Sequence, residues 1–197
     1  MFGKAKKGPI DFLVVGLGNY GKKYEGTRHN AGYMALCKLA EKYQVELKKK
    51  QFQGVTGEAR IAGKRVLFLF PHTYMNLSGT SVLEAMKFYK LEPSQLLVFS
   101  DDITANPGNI RIRRKGSAGG QRGLLNIIDY IGTEEFVRIR LGVGGKPHPE
   151  MELADWVLSR FTQAERKAME EACEHAADAA ELVIADKIDE AMNRFSK

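Results

Sequence analysis

The sequence predicts an α/β protein: a single domain on a mixed, mostly parallel twisted sheet with helices on both faces. Short apolar runs alternate with stretches of helical periodicity through the first half of the 197-residue chain. That alternation is typical of parallel strands joined by helical crossovers. With 44% hydrophobic residues, the chain can bury one sizeable core. A three-layer α/β/α arrangement is therefore expected over residues 11–197.

The first half of the chain supplies three strands and two helices. The run Phe12-Leu13-Val14-Val15 predicts a buried strand, and Thr27 is a good N-cap for the apolar-periodic stretch after it. Gly63-Lys64 lies at the centre of a predicted β-hairpin, which makes the sheet mixed. The predicted strands lie near 11–16, 54–61 and 64–70, and the helices near 27–43 and 77–90.

The second half supplies three more strands and the remaining helices. Leu96-Leu97-Val98-Phe99 indicates another buried strand, and in the two strands after it arginine alternates with apolar residues. The pattern Thr162-Gln163-Ala164-Glu165 is a capping box that starts a long C-terminal helix. The predicted strands lie near 95–100, 109–114 and 136–143, and the helices near 121–131, 151–159, 162–184 and 187–195.

Charge is distributed unevenly along the chain, whose formal net charge is +6. Residues 1–150 contain 24 lysines and arginines against 13 acids, whereas residues 151–197 contain 6 against 11. A basic body with acidic C-terminal helices favours a polyanionic partner, although a solvated lysine-rich surface has the same composition. The first ten residues are predicted to form a disordered basic tail before the domain at 11–197.

The N-terminus MFGKAKKGPI has lysines but lacks the apolar segment of a signal peptide. No apolar run approaches the length needed to span a membrane. We therefore expect a cytoplasmic protein with no membrane partner.

A candidate general base follows the first strand. The turn 16–21 leads to Thr27 and His29, so His29 is expected in a first helical turn at the carboxyl edge of the sheet. The positive end of the helix dipole there favours a neutral imidazole, which can accept a proton. A purely structural histidine is the simpler alternative.

The glycines at 16, 18 and 21 also fit the dinucleotide-binding pattern G-x-G-x-x-G. In that fold the third glycine opens the helix, so that a pyrophosphate meets the helix N-terminus. Here residues 22–26 separate Gly21 from the cap, and the helix starts too late. A dinucleotide cofactor is therefore not expected.

Polar residues follow two further strands at the same edge of the sheet. Asn76, beyond the strand that Pro71 ends, carries an amide that can hold a carbonyl group or cap the next helix. After the fourth strand, Asp101 or Asp102 can accept Nδ1–H from a histidine and leave Nε2 free to act on water. Paired carboxylates could instead bind Mg²⁺ or form an acid–base pair. No further ligand falls at matching spacing, so no metal is expected.

Four stretches of the sequence resemble the bacterial peptidyl-tRNA hydrolase family, in the family's order and with similar spacing. They are VGLGNYGKKYEGTRHNAG at 15–32, PHTYMNLSG at 71–79, SDDITANPGNIRIRRKGSAGG at 100–120 and FVRIRLGVGGKP at 136–147. The resemblance implies a cytosolic, monomeric α/β enzyme that needs no metal or other cofactor. It also implies hydrolysis of the ester between a peptide and the 3′ ribose of tRNA, which recycles tRNA from stalled translation.

The resemblance further assigns roles to individual residues. His29, oriented by Asp101, takes a proton from the attacking water, while Asn19 holds the reacting carbonyl. Asn76 holds the peptide, and Met75 forms the pocket beneath it. The predicted substrate contacts are Tyr24, Tyr74, Met75, Asn76, Gln121 and Arg122.

The chain departs from the family at one place. Where the family typically has Gly-Gly-His-Asn-Gly-Leu, this sequence has Gly119-Gly120-Gln121-Arg122-Gly123-Leu124. Arg122 cannot accept a hydrogen bond and adds a charge, so it is expected to reach tRNA phosphate or to stabilise the oxyanion. The change also makes a catalytically impaired RNA-binding relative of the same fold the alternative function.

Basic residues on two strands are predicted to hold tRNA phosphates. Strand alternation puts Arg111, Arg113 and Lys115 on one face, and Arg138 shares a face with Arg140. Such rows of cations can follow a phosphate backbone and make binding sensitive to salt. An ordinary exposed strand face is the alternative. The predicted phosphate clamp comprises Arg113, Lys115, Arg138 and Arg140.

Overall fold

Seven strands form one mixed sheet in the computed structural model, which describes residues 8–197 of the chain. They are β1 Phe12–Gly16, β2 Lys49–Gln51, β3 Gly54–Ile61, β4 Lys64–Pro71, β5 Leu96–Asp102, β6 Ile110–Arg113 and β7 Val137–Gly142. Their order across the sheet is β2-β3-β4-β1-β5-β7-β6. β4, β1, β5 and β7 run parallel, whereas β2, β3 and β6 pair antiparallel with their neighbours. The predicted mixed sheet is confirmed, with its parallel strands at the centre.

Helices cover both faces of the sheet, as predicted. Over residues 8–197 they are α1 Ala31–Lys42, α2 Ser78–Tyr89, α3 Arg122–Ile131, α4 Leu153–Val157, α5 Gln163–Ile184 and α6 Ile188–Phe195. In β1, Phe12 and Val14 belong to the core under α1, α5 and α6, whereas Leu13 and Val15 pack with α2 and α3. This division follows from the alternation of side chains along a strand, and it produces the expected three layers.

The first helix begins later than the sequence predicts. A 3₁₀ turn, Arg28–Asn30, precedes α1, and Thr27 does not cap it, because Thr27 Oγ1 donates to the carbonyl of Tyr24 at 2.8 Å. The start of α1 lies directly against the sheet at Gly32, where an added Cβ would be 2.3 Å from the carbonyl oxygen of Phe99. This close approach holds the 3₁₀ turn, and His29 within it, beside the end of β5.

Three further details of the strands differ from the prediction. The sequence pattern does not predict β2, because its lysines interrupt the apolar pattern of a strand. Lysines nevertheless suit an edge strand that faces water. The turn between β3 and β4 is formed by Ala62 and Gly63, both with positive φ, so its centre lies one residue before Gly63-Lys64. β5 extends through Asp102, so both aspartates belong to the strand itself.

The sequence predicts a disordered tail over residues 1–10. Residues 1–7 of that tail lie outside the described residues. Ile10 is buried in the core layer of α2 and α3, so packing begins before residue 11. Between residues 8 and 197, no helix is both long and apolar enough to cross a bilayer.

The order of the strands creates a crevice at one edge of the sheet. From β1 the chain passes to β4 on one side, and then through α2 to β5 on the other side of β1. Such a reversal separates the loops at the carboxyl ends of the parallel strands, which is where open α/β sheets bind ligands.

Candidate active site

A cleft of about 290 Å³ opens at this edge of the sheet. Apolar side chains of α4 and the residue after it (Leu153, Ala154, Val157 and Leu158) form one wall, and Arg140 reaches the cleft from β7. Every residue predicted for catalysis or substrate contact lines the same cleft: Asn19, Tyr24, His29, Tyr74, Met75, Asn76, Asp101, Gln121 and Arg122.

His29 and Asp101 form the polar centre of the cleft. His29 Nδ1 lies 3.0 Å from Asp101 Oδ2. The histidine side chain is 13% exposed and the aspartate side chain 4%. Because the carboxylate accepts Nδ1–H, Nε2 carries the free lone pair of the ring and can take a proton from water. The structure thus brings together two residues that stand 72 positions apart in the chain.

Asn19 is held by main-chain and side-chain hydrogen bonds that orient its amide. The backbone N–H of Asn19 donates to Asn30 Oδ1 at 2.9 Å, and Asn30 Nδ2 donates to the Asn19 carbonyl at 3.0 Å. Asn19 Oδ1 accepts from the backbone N–H of Met75 at 3.2 Å. Since the oxygen is engaged, the Nδ2 group is the part of the side chain available to donate to a substrate oxygen. The sequence alone assigns no role to Asn30, because its partner is the main chain of Asn19, which no local pattern around His29 indicates.

The residues after β4 line the cleft next to Asn19. Met75–Leu77 is a 3₁₀ turn in which Met75 is buried and Asn76 is exposed. Asn76 is not the cap of the next helix, because the residue in the cap position of α2 is Leu77. The side chain of Tyr74 is exposed at the rim. The capping alternative for Asn76 is therefore wrong, and the residue lines the cleft.

Asp102 neutralises arginines and binds the turn that follows β5. Its buried Oδ1 accepts from the backbone N–H of Thr104 at 2.8 Å and from the hydroxyl at 2.7 Å. Arg111 Nη1 and Arg140 Nε each lie 3.4 Å from Oδ2. Both aspartates are thus engaged by protein donors, and no group of three His, Cys, Asp or Glu residues within 8–197 could hold a metal.

Gln121 lines the cleft, yet its amide is directed into the protein. The side chain is N-cap of α3: Oε1 accepts from Leu124 N at 2.7 Å. Nε2 donates to Asp101 Oδ1 at 3.0 Å and contacts Met75 Sδ at 3.3 Å. The predicted substrate contact is therefore replaced by a supporting contact to Asp101, because both ends of the amide are occupied.

Arg122 is the first residue of α3, exposed, and part of the cleft lining. It makes no ion pair with any residue between 8 and 197. Its cation stands at the positive end of the helix dipole with no acid in the first turn, an arrangement that costs stability.

The four residues of the predicted phosphate clamp do not share one environment. Arg113 and Lys115 are exposed, and Lys115 Nζ is 3.5 Å from Glu135 on an open surface. Arg140 is half-buried over Gly119, where an added Cβ would lie 2.6 Å from Arg140 Nη2. These three cations remain accessible from the cleft side or the solvent.

Arg138 corrects the predicted clamp. It is 1% exposed, and its guanidinium donates to the main-chain carbonyls of Gly116, Glu134 and Phe136. Burial lowers the pKa of Arg138 to about 10. With its donors satisfied inside the protein, Arg138 is not available to a phosphate and instead fastens the loop before the glycines at 119 and 120.

Arg28, next to His29, contacts several elements around the cleft, and the sequence alone did not predict this. Its guanidinium makes a bidentate pair with Glu165, Nη1–Oε1 3.0 Å and Nη2–Oε2 2.8 Å, and donates to the carbonyl of Val143 at 2.9 Å. Its Cζ atom lies 3.8 Å from the centre of the Trp156 ring in α4. Hydrogen bonds from Arg28 hold the pKa of Glu165 below its usual range. The same side chain thus joins the histidine turn, the α4 wall and the start of α5.

Known proteins resemble this chain over nearly its whole length. The family model described as peptidyl-tRNA hydrolase matches residues 13–197. A peptidyl-tRNA hydrolase of Agathobacter rectalis is 49% identical over 94% of this chain and 100% of its own length. One from Brevibacillus brevis is 46% identical over 93% and 97%. The crystal structure of peptidyl-tRNA hydrolase from Acinetobacter baumannii superposes with a TM-score of 0.88 at 36% identity, covering 96% of this chain and 99% of that one.

Proposed function

This chain belongs to the peptidyl-tRNA hydrolase family, and we propose that it cleaves peptidyl-tRNA with a water molecule activated by His29. Its activity is hydrolysis of the ester between the peptide and the tRNA. The observation that carries the proposed mechanism is the 3.0 Å contact between His29 Nδ1 and Asp101 Oδ2 inside the cleft.

The reaction requires a base for water and a proton donor for the leaving ribose oxygen. His29 Nε2 takes a proton as the water oxygen attacks the ester carbonyl, and Asp101 stabilises the imidazolium that forms. When the tetrahedral intermediate collapses, the bond from carbon to the ribose oxygen breaks and His29 returns the proton to that oxygen. The products are a peptide with a free carboxylate and a tRNA with a free hydroxyl.

Charge that develops on the carbonyl oxygen needs a preorganised donor. Asn19 Nδ2 supplies it, because contacts to Met75 and Asn30 fix the residue before substrate arrives. Asn76 and Tyr74 contact the peptide, and the apolar α4 wall excludes water from it.

The tRNA body lies toward the cations beside the cleft. Arg113, Lys115 and Arg140 bind its phosphates, and Arg122 contacts an anionic group of the substrate near the ester. We expect the enzyme to act as a monomer in the cytoplasm, where translation produces peptidyl-tRNA. Sedimentation of the purified protein as a single chain tests the oligomeric state.

Release of labelled peptide from peptidyl-tRNA by the purified protein tests the mechanism. His29→Ala is expected to lower turnover by several orders of magnitude while tRNA affinity stays nearly parental, because the base is lost and binding groups remain. His148→Ala, an exposed histidine outside the cleft, is the matched control and should keep parental turnover. Near-parental turnover of His29→Ala would rule out the proposed base. No release by the parent would favour the impaired RNA-binding relative.

A further inference from the structure

Gln121 is locked in one orientation by two contacts of opposite polarity. The residue is 5% exposed, its Oε1 accepts from Leu124 N at 2.7 Å, and its Nε2 donates to Asp101 Oδ1 at 3.0 Å. A flipped amide would face oxygen to the carboxylate and N–H to the N–H of Leu124, and so lose both bonds. The observed orientation is therefore the one that the surroundings permit.

This contact holds Asp101 at its second oxygen. Oδ2 faces His29 Nδ1 at 3.0 Å, and Oδ1 faces Gln121 Nε2 at the same distance. A carboxylate anchored through one oxygen can turn about its last side-chain bond, whereas two anchors fix its plane. Because the imidazole follows that plane through Nδ1–H, the direction of Nε2 depends on both anchors. A carboxylate that is buried also needs such donors, since a desolvated anion without them is costly.

We propose that Gln121 is a positioning residue for hydrolysis, which holds the Asp101 carboxylate in the plane that orients His29 and ties this pair to the start of α3. The inference rests on the proposed function, because Gln121 acts only through the histidine–aspartate pair. A neutral histidine, typical of the family here, also offers one N–H donor and one acceptor nitrogen. Gln121 thus keeps the hydrogen-bonding pattern of that position.

Gln121→Glu separates support of Asp101 from capping of α3. Glutamate has the same shape and keeps an oxygen for Leu124 N, where a helix N-terminus favours negative charge. It replaces the donor to Asp101 by an acceptor. We expect kcat on peptidyl-tRNA at pH 8 to fall about 10- to 100-fold, which is the range found when residues that orient metal ligands are replaced. KM should change by less than about threefold, because binding groups are untouched.

The dependence of Gln121→Glu turnover on pH distinguishes a positioning role from a purely structural one, which would not change that dependence. On acidification the two facing carboxyl groups share a proton, which restores a donor between them. The ratio of variant to parent turnover should therefore rise as the pH falls. Tyr24, Tyr74, Arg122 and Arg140 also line the cleft, and the parent measured at each pH accounts for them. His29 contacts Asp101 directly, so the ratio is compared over the pH range in which parental turnover is constant.

Two more variants keep the test decisive if Gln121→Glu fails to fold. Gln121→Met keeps the approximate size of the side chain but has neither amide nor charge, and it should lose turnover to a similar extent. Gln121→His retains a donor and an acceptor and should keep turnover within about threefold of the parent. Thermal unfolding of each variant shows whether the fold is intact.

The same substitutions made in the His29→Ala variant show whether Gln121 affects turnover through His29. There they should change the residual rate by less than about twofold, because residues that act as a unit are not additive. Parental turnover and an unchanged pH profile for Gln121→Glu and Gln121→Met would overturn the proposal. So would an undiminished loss in the His29→Ala background. Failure of the proposed function is recognised separately, because the parent protein would then release no peptide or His29→Ala would stay active.

Discussion

Gln121 and Arg122 are neighbours in the chain but occupy opposite environments. The N-cap side chain folds back over the first turn of α3 and reaches Leu124 N, whereas the next side chain leaves the helix toward the cleft. One side chain therefore contacts Asp101, and the other lines the cleft. The two-residue departure from the family pattern thus contains two independent changes.

Arg122→Asn is expected to raise KM for peptidyl-tRNA several-fold with little change in kcat, because one charged contact in the bound state is lost. The slope of log affinity against log salt should become shallower by about 0.7 to 0.9. Stability should rise by about 0.5 kcal/mol as a cation leaves the first turn of α3. Steady-state kinetics over a salt series and thermal unfolding measure these effects. A fall in kcat alone would place Arg122 at the oxyanion instead, and no change in either constant would remove it from substrate binding.

At the level of elements, β6 and β7 present a basic face that is covered over only part of its length. Arg113 pairs in register with Arg138, so alternation puts both on the same face. The loop at 114–118 and the turn at Glu134 close over Arg138, but Arg113 lies at the end of β6 and stays exposed. The donors of Arg138 are therefore engaged inside the protein, whereas the side chain of Arg113 is open to solvent.

Arg113→Gln and Arg138→Gln form a matched pair that tests this difference. Arg113→Gln should raise KM, make the salt slope shallower by about 0.7 to 0.9 and leave unfolding unchanged. Arg138→Gln should destabilise the protein by roughly 2 to 3 kcal/mol, because buried carbonyls lose a charged donor, and leave the salt slope parental. Binding titrations at several salt concentrations and chemical denaturation make the comparison. Equal changes in salt slope for the two variants would contradict the assignment.

The ion pair between Arg28 and Glu165 joins the turn that carries His29 to the start of α5. Glu165→Gln should destabilise the protein by roughly 3 kcal/mol, because Arg28 is buried and loses its counter-charge. The pKa of Glu165 is lowered in the folded protein, so its ionic stabilisation is present above the ordinary glutamate range and disappears as pH falls through the lowered value. The stability difference between parent and variant should therefore narrow on acidification.

Denaturant unfolding at a series of acidic pH values measures that difference. Glu171→Gln, an exposed position on the same helix, is the control and should change stability by less than about 0.5 kcal/mol. A stability difference that stays constant down to the most acidic pH would show that the pair contributes no net charge interaction.

Over the whole molecule, the acidic helices neutralise part of the basic body. Lys42 pairs with Asp178 and Glu181 of α5 at 2.7 Å each, and Lys64 pairs with Asp186 at 2.6 Å. Individually such exposed pairs contribute little to stability. Their effect is on the electrostatic field, since each pair offsets a cation of the basic body.

Hydrolysis of full-length peptidyl-tRNA should accordingly weaken as salt is raised, through KM. Four contacts with anionic groups, from Arg113, Lys115, Arg122 and Arg140, predict a slope of about −3 to −4 for log affinity against log salt. A peptide ester of a single nucleoside has no phosphate for these cations to bind, so its hydrolysis should depend little on salt. Parallel assays on both substrates measure the two slopes. Equal slopes would mean that the cations act on the reaction centre or the fold.

Much of the candidate site could be predicted because local patterns determine where strands end. Apolar runs followed by polar residues placed His29 and Asp101 at one edge of the sheet, and their 3.0 Å contact fits that placement. The same patterns could not separate Arg113 from Arg138, since alternation states which face a side chain shares but not what covers that face. They also missed β2, whose lysines carry no apolar signal.

The sequence by itself determined the fold class, the strands of the central sheet and the family. These follow from periodicities and motifs that act over a few residues. The tertiary structure alone decided the partners of side chains that are distant in the chain: Gln121 on Asp101, Asn30 on Asn19, and Arg28 on Glu165, 137 residues away. The physical reason is that burial and hydrogen bonding depend on which surfaces meet after folding, and no local pattern records that meeting.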